Sequence, residues 1–229
     1  MQLCLFDIDG TLTATSDIDT ACFVQALKDV FGLQEVNTDW SIYPDVTDSA
    51  VTTRLVEMQR GQAPTESEMR QIREHFYALL QTAFEHSPEQ CLPIAGGPRF
   101  LNSLARDPQI AIAFATGGWE QTARLKLELS GYDHGHYPLA SANDAFTRTA
   151  ICSLAVERAQ QQYAVTDFET IIAFGDGIWD ARAAVELGYR FVGIAQGEKT
   201  NLLQTAGAEL ILPNYEALTP AQLRERFGL

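Results

Sequence analysis

Two pairs of aspartates stand at spacings that suit joint chemistry. Asp7 and Asp9, in Phe6-Asp7-Ile8-Asp9-Gly10-Thr11, are two residues apart, a spacing that turns both side chains to the same side of an extended chain. Asp176 and Asp180, in Gly175-Asp176-Gly177-Ile178-Trp179-Asp180, form a second cluster far along the sequence. Each cluster closes a short apolar run that reads as a strand, and in an open parallel sheet the carboxyl ends of the strands meet at one crevice. Like charges about 4 Å apart repel by roughly 4 kcal/mol at an effective dielectric of 20. Four carboxylates so placed must raise their pKa values or take up a cation. Oxygen-only ligands favour a hard ion, and Mg²⁺ fits best, because one or two carboxylates, waters and substrate phosphate commonly complete its octahedron. A calcium loop of the EF-hand type is excluded: started at Asp7, its sixth position is Leu12 rather than Gly and its twelfth is Ile18 rather than Glu.

Anion-holding groups follow a third apolar run. Ile110 to Ala115 ends in Thr116-Gly117-Gly118 and leads into a helix from Trp119; a hydroxyl followed by free backbone N–H groups at a helix start makes a phosphate cradle. Arg148 lies near the start of another predicted helix, where its planar cationic fork reaches a phosphoryl oxygen at the same crevice. Cation, metal and N–H donors together hold a dianion against the carboxylates.

The elements that must position these residues alternate. LCLFDID, IAIAFATGG, TIIAFGDG, RFVGIA and AELILP read as strands, apolar enough for burial on both faces. Helices are expected at Pro98 to Ala105, Trp119 to Leu129, Thr147 to Gln162, Ile178 to Leu187 and Lys199 to Thr205. The alternation predicts an α/β core with a parallel sheet. It fails between about Ala14 and Leu92, where DIDTACFVQALKDVF, DSAVTTRLVEMQR and TESEMRQIREHFYALLQTAFEHS read as charged helices broken at Gly32, Pro44 and the GQAP turn. The expected organisation is therefore a core of residues 1–14 and 93–229 with a helical insertion over 15–92, re-entering through CLPIAGGPRF.

Composition narrows the partners. The chain has 229 residues, 46% hydrophobic and 20% charged, the balance of an ordinary globular protein rather than a disordered or fibrous one. Sixteen basic against thirty acidic residues give 16 − 30 = −14, which argues against nucleic acid or an anionic membrane as a partner recognised by bulk charge. Four scattered cysteines without a C-x-x-C pair suggest neither zinc nor disulfides. No basic leader or long apolar run is read at the start or elsewhere, so a cytoplasmic location is expected.

In this order and at these strand ends, the motifs resemble the haloacid dehalogenase superfamily, specifically its magnesium-dependent phosphatases with a helical cap inserted after the first strand, such as phosphoglycolate phosphatases. The D-x-D-G-T-L run at Asp7 to Leu12 is the most specific match, and G-D-G-x-x-D ending at Asp180 is the second. The resemblance implies a Rossmann-like core and a Mg²⁺-dependent phosphomonoester hydrolase. It implies Asp7 as the nucleophile that forms an aspartyl-phosphate and Asp9 as general acid and base. It places Mg²⁺ on the Asp7 side chain, the Asp9 backbone carbonyl and Asp176, with Asp180 ordering the surroundings. Thr116, the Gly117 N–H and Arg148 hold the transferring oxygens. Most family members carry lysine where Arg148 stands; the chain has only Lys28, Lys126 and Lys199, and Lys126 lies within the helix after Thr116. Dehalogenases and phosphonate-cleaving relatives lack the second carboxylate that Asp9 supplies. The expected ligand is a small phosphorylated metabolite; a phosphomutase of the same superfamily and a phospho-ligand-binding regulatory protein remain alternatives.

Within the insertion, Thr47 and Asp48 are candidates for substrate contact, against a plainer reading in which either caps the helix beginning near Ser49, which is preferred. Arg54 reads as part of a solvated face. Asp17 and Asp19 read as a solvated helix start, favourable at the positive end of the dipole. His134 and His136 read as loop residues, and Trp119 and Trp179 as walls of the site or, at least as readily, as packing of helix starts.

Overall fold

All five residues of β1 (Gln2–Phe6) are buried, as a strand covered on both faces must be. In the computed structural model, which describes residues 1–228, β1 pairs in parallel with β2 (Ile110–Ala115) on one side and, on the other, with the strand at Ile171–Gly175. Calling the remaining strands β3 (Leu139–Ala140), β4 (Ile171–Gly175), β5 (Arg190–Ile194) and β6 (Leu210–Leu212), the sheet order is β3-β2-β1-β4-β5-β6. The chain builds outward from β1 to β3, then returns to the other side of β1 for β4. That reversal sets the carboxyl ends of β1 and β4 side by side, the position where open α/β sheets bind ligands.

Of the four α-helices between β1 and β2, the first three are α1 (Ser16–Phe31), α2 (Asp48–Arg60) and α3 (Glu66–His86). Their apolar faces close on one another around Phe23, Leu27, Leu55, Ile72 and Phe76. The segment leaves and returns along neighbouring paths, since the Ala14 N–H donates to the Leu92 carbonyl at 2.8 Å. After it, α4 (Gly97–Leu104), α5 (Glu120–Leu129), α6 (Arg148–Tyr163), α7 (Ile178–Glu186), α8 (Glu198–Thr205) and α9 (Pro220–Phe227) cover the sheet.

The pleat sorts the core into two faces. Phe6, Phe114 and Phe174 stand opposite one another across three strands, and with Phe100 of α4 and Phe227 of α9 they build one face. Leu3, Leu5, Ala111 and Ala113 point the other way, where Ile151, Ala155 and Ala159 bring α6 close. The expected strands and helices form within about three residues of their predicted places. β3 and α9 are additions that the sequence pattern did not announce.

Candidate active site

Asp7 follows directly on β1, and its backbone N–H donates to the Phe174 carbonyl of β4 at 3.0 Å. This pairing carries the two acidic motifs into contact. One carboxylate oxygen from each of Asp7, Asp176 and Asp180 lies within 4.8 Å of the others. Gly10 lets the chain turn away beneath them: it has φ +73°, and a Cβ there would lie 2.3 Å from Asp176 Oδ2, so any other residue would meet both backbone strain and a collision. Asp7 is held from two sides. The Thr11 hydroxyl donates to its Oδ2 at 3.2 Å, and Arg148 Nη1 donates to its Oδ1 at 2.9 Å.

Arg148, the first residue of α6, also lies 3.1 Å from Asp180 Oδ1 and donates from Nε to the Val46 carbonyl at 3.1 Å. Gly117 gives it room, because a Cβ there would stand 2.5 Å from Arg148 Nη2. Thr116 follows β2, and its Oγ1 accepts the Gly118 N–H at 3.1 Å. Asp180 Oδ2 accepts the Gly177 N–H at 3.1 Å, capping α7. Burial raises the pKa values of Asp7 and Asp180, with Arg148 offsetting part of the rise, and burial lifts Asp176 to about 6 against the opposing pull of Lys199. For Arg148, burial opposes the charge, but Asp180 and Asp7 outweigh it and raise its pKa. A compact, wholly oxygen donor set whose members resist ionising together fits a hard divalent cation.

Asp9 faces a different neighbourhood. Its Oδ1 accepts from the Thr15 hydroxyl at 2.6 Å, and its Oδ2 accepts from Lys126 Nζ at 2.6 Å. Lys126 is fully buried and donates also to Asp19 Oδ1 at 2.7 Å. Burial alone would lower its pKa; Asp19 and Asp9 outweigh that and raise it. Asp19 is itself pushed up by burial, which the Lys126 charge offsets only in part.

The insertion closes the site from above. The Asp48 N–H donates to the Gly117 carbonyl at 2.8 Å, and Asp48 Oδ2 accepts the Trp119 N–H at 2.9 Å. Trp119 Nε1 donates to Ser49 Oγ at 2.8 Å, and the Ser49 hydroxyl donates to the Ala142 carbonyl at 2.6 Å. Burial raises the Asp48 pKa well above the usual carboxylate range, and the nearby Asp19 charge adds to it. These contacts bound a cavity of about 160 Å³ whose lining includes Asp7, Asp9, Thr116, Arg148 and Asp176.

A sequence model of the haloacid dehalogenase-like hydrolases matches residues 1–188. The chain belongs to that hydrolase family. Solved structures share the fold of this hydrolase at low identity. A hydrolase from Pseudomonas syringae superposes with a TM-score of 0.69 at 19% identity, covering 100% of this chain and 98% of that one. CbbY from Rhodobacter sphaeroides, solved in complex with phosphate, gives a TM-score of 0.69 at 20% identity over 96% of this chain and 98% of that one. A predicted phosphoglycolate phosphatase from Haemophilus somnus gives 0.61 at 16% identity, covering 93% and 94%. No curated protein sequence matches the chain.

The hydrolase gathers Asp7, Asp9, Thr116, Gly117, Arg148, Asp176, Thr47 and Asp48 around one cavity, with Asp180 just behind Arg148. Thr47 is a helix cap, as the plainer reading expected: its Oγ1 accepts the Ala50 N–H at 3.2 Å and donates to the Phe146 carbonyl at 2.8 Å. Asp48 is no simple cap, since its carboxylate crosses to Trp119. Asp19 corrects the expectation of a solvated helix start, because it turns inward to Lys126, whereas Asp17 is exposed as expected. Trp119 is packing, with Phe23 and Phe76 edge-on to it, while Trp179 lines the cavity. Arg54 is exposed and lines a different hollow with Lys28. Sequence reasoning missed Lys126 and Lys199; the latter reaches Asp176 Oδ2 at 3.0 Å from α8. A lysine on the apolar stripe of a helix, with Ala123 and Leu127 beside it as buried neighbours, was the available signal for Lys126. Among the described residues no helix is long and apolar enough to cross a membrane.

Proposed function

We propose that this hydrolase cleaves small phosphomonoesters through an aspartyl-phosphate on Asp7, with helices α1 to α3 acting as a cap over residues 15–92. The observation that carries the reading is the pairing of Asp7 with a buried arginine on one oxygen and a threonine hydroxyl on the other, which aims a carboxylate at a cavity bounded by an oxyanion-holding loop. Asp7 attacks phosphorus, the bond to the alcohol oxygen breaks, and Asp9 gives that oxygen its proton. Water then attacks the phosphorus and returns a proton to Asp9, the bond to Asp7 breaks, and phosphate leaves with the carboxylate restored. Arg148, the Thr116 hydroxyl and the N–H groups of the Gly117 loop stabilise the charge that spreads over the phosphoryl oxygens. Lys126 and Thr15 fix the Asp9 carboxylate in place. Asp7 and Asp176 are the side chains that would hold Mg²⁺, with Asp180, whose oxygens meet Arg148 and the Gly177 N–H, ordering them and the Asp9 carbonyl added by family resemblance; the bound ion would neutralise phosphoryl charge beside these carboxylates.

Phosphate release from an activated aryl phosphate, with Mg²⁺ and with EDTA, tests the reading. Metal-dependent release that falls at least about a thousandfold in Asp7→Asn is expected. Turnover by that variant at the wild-type rate would falsify the assignment of the nucleophile.

A further inference from the structure

The cavity in front of Asp7 measures about 160 Å³, close to the roughly 150 Å³ that accommodates a benzene-sized ligand. Once a phosphoryl group is seated, a small leaving group fills the walled part of the cavity, which is open to solvent on one side. The walls that would meet them come chiefly from the insertion. Phe23 of α1, Trp40 and, from α7, Trp179 supply aromatic surface. Among the described residues, the ionisable groups that residues 15–92 bring to this cavity are Asp19 and Asp48, both acids.

These two carboxylates differ in their partners. Asp19 is matched by Lys126. Asp48 accepts one backbone N–H, from Trp119, and no cation pairs with it among the described residues. The cations at the core side, Arg148 and Lys199, stand at the phosphoryl end, against Asp7, Asp180 and Asp176. Other basic groups lie elsewhere: Lys28 and Arg54 line a separate hollow, and Arg182 lines a neighbouring one that shares Val46, Arg148 and Trp179 with the cavity. A carboxylate or second phosphate on the leaving group would thus be desolvated beside two acids with no counter-charge from the insertion.

We infer that the leaving group carries no negative charge: the site takes a small phosphomonoester of a neutral or amino alcohol, its donor end on Asp48 and its carbons against the rings of Phe23, Trp40 and Trp179. The inference rests on the phosphomonoesterase reading above. It sets this chain apart from enzymes that act on doubly anionic substrates such as bisphosphates. A hydroxyl or ammonium offers Asp48 a hydrogen bond, and an ammonium also gains from the ring faces.

Three esters of nearly equal size test it on the intact protein: hydroxyethyl phosphate, aminoethyl phosphate and phosphoglycolate, which differ at the far end in carrying a hydroxyl, an ammonium or a carboxylate. An activated aryl phosphate serves as the reference. The first two are expected to have kcat/KM at least about tenfold above phosphoglycolate. Asp48→Asn, which keeps an acceptor for the Trp119 N–H, should shrink the preference for the ammonium over the carboxylate ester by about tenfold, a ratio within one variant that is indifferent to how much of it folds. If the aryl ester is turned over and phosphoglycolate equals or exceeds the other two, the inference is wrong and the phosphomonoesterase reading stands. An unchanged preference in Asp48→Asn removes Asp48 from it. Absence of release from every ester, the aryl one included, defeats the phosphomonoesterase reading and the inference with it.

Discussion

A lysine ammonium with no exposed surface must be balanced where it sits, because desolvation disfavours its charge strongly unless carboxylates stand within hydrogen-bond distance. Lys126 meets that condition with Asp9 and Asp19 at 2.6 and 2.7 Å. Lys126→Met leaves both acids without their cation, so a loss of about 3–5 kcal/mol in denaturant unfolding is expected, partly recovered when Asp19→Asn is added. A loss under about 1 kcal/mol would mean that solvent already compensates the pair. On the proposed reading Arg148 acts on the transferring group, so Arg148→Ala should lower kcat about 10²- to 10³-fold with the fold retained, and Arg148→Lys should recover part of it. Near-normal turnover of the alanine variant would remove Arg148 from the phosphoryl site. The contrast between these residues also shows what the sequence could reveal. Asp7, Asp9 and Asp176 sit in short motifs whose chemistry is local, and Arg148 is read from its place at a helix start. The Lys126–Asp19 pair joins positions 107 residues apart, and nothing in either segment announces the partner.

At the scale of elements, strands buried on both faces leave a strong signature, and β1, β2, β4 and β5 were legible from runs of apolar residues. β3 is two residues long, too short for any periodicity, and is recruited by β2 rather than by its own pattern. α9 follows a polar, proline-marked turn and declares itself through a capping box at Thr219 and Gln222, a weak signal beside the helices that cross between strands. A second capping box is open to test. Thr65 accepts the Glu68 N–H at 3.3 Å, and Glu68 accepts the Thr65 N–H at 2.7 Å while Arg60, at the end of α2, holds the same carboxylate. The Arg60 hydrogen bond, with those from Thr65, pulls the Glu68 pKa down to about 2. A depressed carboxylate pKa stabilises the fold above the unfolded value and loses that contribution as pH falls through the folded one. Glu68→Gln should therefore lower Tm at neutral pH, and the gap to wild type should narrow as the pH drops below about 4. A gap that is constant with pH would show that the box works through geometry alone, without charge.

Across the whole molecule, thirty acidic residues against sixteen basic ones leave the handling of an anion to a few placed cations, and they leave three carboxylates of the site crowded within 4.8 Å. Burial raises the pKa values of all three, so at neutral pH keeping them ionised works against folding in the metal-free protein. A divalent ion held there, as proposed, would reverse the sign of that effect in the native state and would have no comparable site in the unfolded chain. Stability then rises as RT ln(1 + [L]/Kd), about 2.7 kcal/mol at a hundredfold excess over Kd, roughly 5–10 °C in Tm for a chain of this size. Thermal unfolding with saturating Mg²⁺ and with EDTA measures the increment without reference to turnover. Asp176→Asn removes one charge from the cluster, so its Tm in EDTA should equal or exceed that of the wild type while most of the Mg²⁺ increment disappears. An increment of the same size in both proteins would take Asp176 out of the ligand set; no increment in the wild type would mean that Arg148 and Lys199 already neutralise the cluster and that the acidic motifs serve the fold without a metal.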